Sequence, residues 1–494
     1  MSDQSSHKQI LKSTGIIGGS QVFIVITSIL KTKVMAVLLG PAGVGILGLY
    51  NSIIEIMRQS TSFGLNFSAV REVAESAGTN DEVRLSRTII ILRRWIILAG
   101  MIGMLGTIFL SPYLSMLTFG DTSYKKGISL MSVSLYFSAI SFGQIALLQG
   151  LRKISAMANA NVLGALLSLI VSIPLFYIWG IDGVIPSIIL SSLITLLISW
   201  MFARRVKVNP VKVSYIETLK GGAGMIKLGL FTVFSGLVAS LMMYLIRIFI
   251  MNKEGLPSVG IFQAAWSLSA VYLTTIIAAM SADYYPRLSS VNNDNKKMNV
   301  LVNEQTEIAI LIAGPMIAVL ITFLPVVVSI LYSHKFLPAI GILRWQLFGM
   351  FFKVLAFPIG FILLAKGKGL LFVFVEILWN LMYFLIVYFS WNQLGIISTG
   401  IAFLLTYIIF VLVNLFVVFR ISGFKWNINN CKSILVCVIS LSVIVSTSIF
   451  KNVSFMIYLI NFFVFIGLLA YSINQMNNIV NIRDLYKSIR SRLK

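Results

Sequence analysis

Windows of about 20 mainly apolar residues, the length a helix needs to cross a bilayer, recur from Thr14 to Ile473 with only short polar stretches between them. Of the 494 residues, 58% are hydrophobic and 11% charged, against roughly 25% charged in a water-solvated domain. So little charge cannot cover so much apolar surface, and lipid is the solvent the chain calls for. Backbone groups in lipid must be satisfied internally, and the apolar runs are too long and continuous for barrel strands, which leaves helices. The pattern predicts an all-α membrane protein with about fourteen transmembrane helices. The second is expected over Val44 to Ser68, the ninth over Ile308 to Leu331, and the longest external loop near Pro112 to Lys126. An even number of spans puts both termini on one side.

The net charge of +23 would suit a nucleic-acid binder if it were clustered on one face. Instead the Lys and Arg residues occupy the short segments between apolar runs. With both termini cytoplasmic, 28 of the 39 fall in cytoplasmic segments and five, Lys125, Lys126, Lys253, Lys335 and Lys451, in external ones; six lie inside spans. That bias is the positive-inside signature, and it excludes nucleic acid as a partner. The first span has no convincing small-residue cleavage site and reads as a retained helix. Cys431 and Cys437 have no ligand-like spacing.

The chain also repeats itself. GPAGVGILGLYNSI from Gly40 recurs as GLPSVGIFQAAWSL from Gly255, and LLQGLRK from Leu147 recurs as LLAKGKG from Leu363, at an offset near 215 residues. Two six-helix bundles in pseudo-two-fold relation follow, one over residues 1–213 and one over 214–424. Residues 425–494 would add two further spans and a basic tail. In that tail Ile482, Leu485, Ile489 and Leu493 share a helical spacing suited to an interfacial helix on anionic lipid.

Ionisable residues inside the spans mark the chemistry, since each costs about 2.5–3.5 kcal/mol near the bilayer centre. The basic ones are Lys31, Lys33, Arg58, Arg247, Arg344 and Lys353. Lys31 and Lys33 point about 200° apart on a helix and cannot both face one narrow cavity. Snorkelling to the interface is the competing reading, strongest for Lys31, Arg247 and Arg344 near span ends. The acidic candidates for charge pairing or ion coupling are Glu55, spaced to pair with Arg58, then Glu307 and Glu376. A cavity lined by more Lys and Arg than Glu attracts anions such as phosphate or pyrophosphate. We therefore expect Lys33, Arg58, Arg247, Arg344 and Lys353 to bind substrate.

Enzyme signatures are missing. Gly43, Gly45 and Gly48 spell G-x-G-x-x-G, but they open a membrane helix rather than a βαβ unit, where close helix packing or a hinge is the better account. There is no Walker sequence, and His7 and His334 fall on opposite sides, so no metal or cofactor is expected.

The run LGPAGVGILGLYNSI, Lys33 seven residues before Gly40, and LYSHKFLPAIGILRWQLFGMFFKVLAFPIGFILLAK from Leu331 to Lys366 resemble the Wzx O-antigen and enterobacterial common antigen flippases. These form the polysaccharide transporter family of the wider multidrug/oligosaccharidyl-lipid/polysaccharide (MOP) exporter superfamily. The resemblance covers about residues 10–421. It implies a bacterial inner-membrane flippase that carries undecaprenyl-pyrophosphate-linked oligosaccharide to the periplasmic leaflet by alternating access through a cationic cavity. It places Lys33, Arg247, Arg344, Lys353 and Glu376 at charged positions of the family, while Met350 stands where relatives can carry an acid. It leaves open H⁺ or Na⁺ as coupling ion, and a polysaccharide polymerase and chain-length regulator as partners. Two other readings stand beside it: a cation-coupled drug or metabolite exporter of the same superfamily, for which an acidic cavity would be expected, and a membrane glycan polymerase or ligase, for which a sizeable external domain would be expected.

Overall fold

The computed structural model describes residues 2–79, 81–449 and 455–479; the basic tail from Ile482 and its expected interfacial helix lie outside the described residues. The helices are α1 (Ser2–Thr61), α2 (Leu65–Gly78), α3 (Glu82–Phe119), α4 (Lys125–Gly150), α5 (Ile154–Trp179), α6 (Val184–Ala203), α7 (Tyr215–Glu254), α8 (Leu256–Ser290), α9 (Asn295–Thr322), α10 (Leu324–Leu331), α11 (Ala339–Ala365), α12 (Gly369–Leu394), α13 (Ser398–Ser422), α14 (Ile428–Ile449) and α15 (Phe455–Ile479). Among the described residues no strand occurs.

Ten helical runs are long and apolar enough to span a membrane. Three of them, Gly18–Thr61, Ile154–Ala203 and Gly369–Ser422, are 44, 50 and 54 residues long. At about 1.5 Å per residue each is over twice the roughly 30 Å hydrocarbon core. Each is broken once, at Gly40, Gly180 and Gly395, so among the described residues the ten runs comprise thirteen helices. The burial pattern is that of a lipid-solvated protein. Phe109, Tyr177 and Phe389 are 81%, 77% and 75% exposed, whereas Ser115, Thr118, Ser172 and Thr306 are fully buried between helices.

Some boundaries differ from the hydropathy reading. The second span stops at Thr61 because Phe63 (φ 50°) and Gly64 (φ 74°) turn the chain, and α2 begins as a separate helix. The ninth begins earlier than expected: Asp294 accepts hydrogen bonds from the Lys296 and Lys297 amides and nucleates a polar first turn that carries no hydropathy signal. It ends at Thr322, before Pro325, and α10 is a separate short helix. The external segment expected near Pro112 to Lys126 is mostly helix, with only residues 120–124 between α3 and α4.

The repeat appears in the backbone itself. Gly40 (φ 64°, ψ −164°) and Gly255 (φ 81°, ψ −177°), 215 residues apart, occupy a region open essentially to glycine alone. At the same offset Gly180 and Gly395 share φ values of 55° and 54° before a short 3₁₀ turn, and Arg152 and Gly367 share positive φ before α5 and α12. Helices α5 and α12 are both 26 residues long. The repeat-related Gly45 and Gly260 pack directly on one another, since a Cβ added to either would stand 3.0 Å from the other's amide nitrogen. Small residues that let backbones approach are the main source of helix association in lipid, where burying apolar surface gains nothing.

Two compact units divide the chain. The first comprises Met1–Gln263 and Leu331–Lys335, the second Ala264–Ile330 and Phe336–Lys494. In the first, Leu65, Val73, Ile89, Leu92, Leu147 and Val213 tie α2, α3 and α4 to the segment after α6. In the second, Leu288, Met298, Val302, Ile362, Val418 and Phe424 join α8, α9, α11 and α13. Helices α14 and α15 dock on α9. The Asn303 side chain donates to the Asn299 and Lys425 carbonyls at 2.8 and 3.0 Å, and accepts from the Asn427 amide and Asn430 Nδ2 at 2.8 and 2.9 Å. Further along α9, Gly314 leaves room for Cys437, whose Sγ would stand 2.8 Å from a Cβ there.

Candidate functional site

The intramembrane charges form local clusters within each unit. In the first unit Glu55 and Arg58 lie one turn apart in the second arm of α1, as the spacing predicts. Arg58 Nη2 reaches Glu55 Oε1 at 2.5 Å and its Nε reaches Oε2 at 3.0 Å. Gln59 Nε2 donates to the same carboxylate at 2.9 Å, and the guanidinium lies 5.1 Å from the Phe142 ring centroid. A carboxylate that accepts three donors holds Arg58 in one rotamer, and the aromatic face adds an attraction that strengthens away from water.

Arg247, near the end of α7, is 8% exposed. Its Nη1 donates to Ser52 Oγ at 2.8 Å, while Nε and Nη2 form a fork on Gln263 Oε1 at 3.1 and 2.8 Å. Ser52 in turn donates to the Gly48 carbonyl at 2.8 Å, and Gly48 leaves the room that the Gln263 side chain fills. The glycines of the false nucleotide motif thus serve packing around a buried arginine, with Gly45 at the backbone crossing and Gly48 under Gln263.

Lys31 and Lys33 diverge as their helical angle requires. Lys31 Nζ donates to Ser191 Oγ on α6 at 3.1 Å, and Lys33 Nζ to the Tyr332 carbonyl at 2.6 Å. Lys33 thereby helps to hold the five-residue segment Leu331–Lys335 to the first unit.

In the second unit Lys353 is fifteenth of the 27 residues of α11, roughly 18 Å from its end at Ala365. It lines a cavity of about 150 Å³ together with Glu376, Tyr407, Asn414, Phe357 and Phe372. Its ammonium lies 5.8 Å from the Tyr407 ring centroid. One cation, one carboxylate, a phenol and a carboxamide thus converge in an otherwise apolar chamber, the arrangement that suits a small ion or a single phosphate-sized group. Arg344 is turned elsewhere, donating to the Ser448 carbonyl at 2.7 Å at the end of α14. Glu307 is half-buried on α9, does not line the Lys353 cavity and is hydrogen-bonded to neither Arg344 nor Lys353.

Within each unit the structure therefore groups Glu55 with Arg58, and Lys353 with Glu376, and keeps Lys33, Arg247, Arg344 and Glu307 in separate surroundings. Gln59, Ser52, Gln263, Tyr407 and Asn414 were not visible from charge alone. A usable signal existed for the last two, since Tyr407 and Asn414 lie seven residues apart and so share one face of the apolar run that forms α13.

Known proteins match both the sequence and the fold. The lipid III flippase of Escherichia coli (strain K12) is 22% identical over 392 residues, covering 77% of this chain and 91% of the relative. Among solved structures, the lipid II flippase MurJ in its inward closed conformation superposes with a TM-score of 0.69 at 16% identity, covering 96% of this chain and all of the other. An inward-facing multidrug resistance MATE family transporter of the MOP superfamily gives 0.67 at 18%, covering 82% and 98%. The fold is that shared by MATE and MurJ transporters. The profile of the family described as "Polysaccharide biosynthesis protein" matches residues 34–341, more than half of the sequence, and the chain belongs to that family of Wzx-like polysaccharide flippases.

Proposed function

We propose that this protein translocates an undecaprenyl-pyrophosphate-linked oligosaccharide repeat unit, of O-antigen or a similar surface polysaccharide, from the cytoplasmic to the periplasmic leaflet of a bacterial inner membrane. The observation that carries the reading is the sign of the intramembrane charge. Six basic residues, Lys31, Lys33, Arg58, Arg247, Arg344 and Lys353, lie within the apolar runs against Glu55, Glu307 and Glu376. The names of the sequence relatives, lipid III flippases of Escherichia coli and Shigella flexneri, support a lipid-linked cargo. A hydrated glycan with two phosphates cannot cross hydrocarbon unaided, because each bare charge would cost tens of kcal/mol by Born solvation.

In this account residues 1–213 and 214–424 are the two repeats that alternate access, both termini are cytoplasmic, and Lys33, Arg58, Arg247, Arg344 and Lys353 supply positive charge along the path. The prenyl tail stays in lipid. Glu376, in the cavity with Lys353, is the carboxylate through which a coupling ion, H⁺ or Na⁺, would act on the site; Glu55 holds Arg58 in place. The protein makes and breaks no covalent bond, and it hands its cargo to the polymerase and chain-length regulator that assemble the polysaccharide.

The test is the sidedness of the lipid-linked oligosaccharide in spheroplasts with and without the protein, read with an impermeant lectin. Repeat units confined to the inner leaflet without the protein support the reading. Unchanged outer-leaflet exposure, in a strain with no second flippase, refutes it.

A further inference from the structure

A cavity of about 460 Å³ in the first unit lies away from the intramembrane charges described above, between α3, α4, α6 and the segment that follows α6. Its walls are apolar, with Ile89, Leu92, Ile96, Ile140, Leu147 and Val206 among them, and its polar groups are Arg93, Arg204 and Gln144. The volume is that of a typical small-ligand site, about 300–1,000 Å³.

The two arginines are set for an anion. Arg94, the next residue on α3, is engaged by the chain leading into α7, donating to the Val213 carbonyl at 3.0 Å and to Thr218 Oγ1 at 2.8 Å. Arg93 is thereby left on the cavity side. Arg204 follows the last turn of α6 with its guanidinium 5.0 Å from the Trp200 ring centroid. Among the described residues neither Arg93 nor Arg204 has a carboxylate within ion-pair distance. Both are exposed residues lining one cavity, so two positive charges there offer an anion attraction without a competing carboxylate. Gln144 Oε1 accepts from Ser199 Oγ at 2.5 Å, and Ser199 Oγ lies 3.1 Å from Ser141 Oγ, so this wall of the cavity is held and polar.

The edge of the cavity meets lipid. Ile97 and Trp200 are 39% and 50% exposed at its rim, and α3 continues outward as an exposed apolar face through Met101, Leu105 and Phe109. Arg93 and Arg204 belong to the segments that the charge bias assigns to the cytoplasm, and this placement rests on the orientation proposed above. Basic pockets between spanning helices on that side are suited to anionic head groups.

We propose that this cavity binds an anionic phospholipid of the cytoplasmic leaflet, its phosphate between Arg93 and Arg204 and one acyl chain between Ile89, Ile96 and Ile140. The test uses the purified full-length protein and its thermal unfolding in detergent. Phosphatidylglycerol, phosphatidylcholine, phosphatidylethanolamine and a polyprenyl pyrophosphate are added separately. Phosphatidylglycerol is expected to raise Tm by several degrees and the two zwitterionic lipids by much less. The shift should vanish in the Arg93→Gln, Arg204→Gln double variant and persist in Arg205→Gln, whose side chain stacks on Phe202 outside the cavity. Equal shifts from phosphatidylglycerol and phosphatidylcholine on the wild-type protein would overturn the proposal, whether or not the double variant folds. So would a double variant that responds like wild type, or a cavity-dependent shift given by the polyprenyl pyrophosphate alone, which would make the cavity a substrate entrance. Because the readout is lipid binding, its failure leaves the transport reading intact, and failure of the transport test leaves this one standing.

Discussion

Replacing Gly260 by alanine should be among the most damaging single-methyl additions in the molecule. A Cβ at Gly260 falls inside the van der Waals shell of the Pro41 carbonyl oxygen and 3.0 Å from the Gly45 amide nitrogen, so it meets backbone on both sides. Carbon and carbonyl oxygen rest at about 3.3–3.6 Å, so the helix starts at Pro41 and Leu256 would have to separate by more than about 1 Å. No rotamer change can relieve a clash with backbone. Overpacking of this kind typically costs about 1–3 kcal/mol, and the upper end applies here, more than a hundredfold in the folding equilibrium. Gly45→Ala meets the Leu256 carbonyl in the mirror-related way and should behave similarly. Gly18→Ala, with nothing within 4 Å of the added carbon, is the control. The assay is fluorescence-detected size exclusion of solubilised protein across a temperature ramp. The expected order is a marked loss of Tm for Gly260→Ala and Gly45→Ala and none for Gly18→Ala. A Gly260→Ala protein with wild-type Tm would refute the close helix crossing and the packing argument built on it.

Three further outcomes follow from the geometry. Lys353→Ala should lower export about tenfold or more at unchanged membrane abundance, measured by surface polysaccharide in a strain lacking its own flippase, and Lys353→Arg should lower it less; full export from Lys353→Ala would remove Lys353 from the path. Asn303→Ala deletes three hydrogen bonds that dock the start of α14, to Lys425, Asn427 and Asn430, and at about 0.5–1.5 kcal/mol each the loss is several kcal/mol at most; maleimide labelling, expected in the native protein at exposed Cys431, should then reach buried Cys437. At the start of α7 the backbone amide of Ser214 donates to Glu217, whose carboxyl is thereby held below the usual carboxylate range, while the Glu217 amide donates to Ser214 Oγ. A lowered carboxyl stabilises the folded end above its ordinary value near pH 4 and loses that contribution as pH falls through the lowered value. Amide-exchange protection at residues 215–218, taken relative to the intrinsic rate at each pH, should therefore fall below about pH 4, and should show no such step in Glu217→Gln, which has no carboxyl to titrate.

Much of the fold was written in the sequence because lipid imposes one rule on every span. Runs of 20 apolar residues have no alternative to a helix, and the 215-residue offset between GPAGVG and GLPSVG foretold the shared backbone at Gly40 and Gly255. Local turns were less legible. Hydropathy averages over a window, so it passed across Phe63 and Gly64, and it could not see the Asp294 cap, whose first turn is polar. The site was legible only in part. Charges stand out against hydrocarbon, which is how Glu55, Arg58, Lys353 and Glu376 were found, but spacing along one helix predicts a partner only within that helix. Glu55 with Arg58 met that condition. The Ser52 and Gln263 partners of Arg247, and Tyr407 beside Lys353, come from other helices and carry no charge, so only the packing reveals them.

On the function proposed above, positive side chains within the membrane carry a lipid-linked pyrophosphate across it. Purified protein in proteoliposomes, loaded with a fluorescent undecaprenyl-pyrophosphate oligosaccharide and challenged with an impermeant quencher, measures that step alone. Rapid flipping by the wild type, slowed at least tenfold in Lys33→Ala and Lys353→Ala proteins of unchanged Tm, is the predicted result. Flipping no faster than in empty liposomes under any applied ion gradient, or equal rates in wild type and both variants, would contradict it.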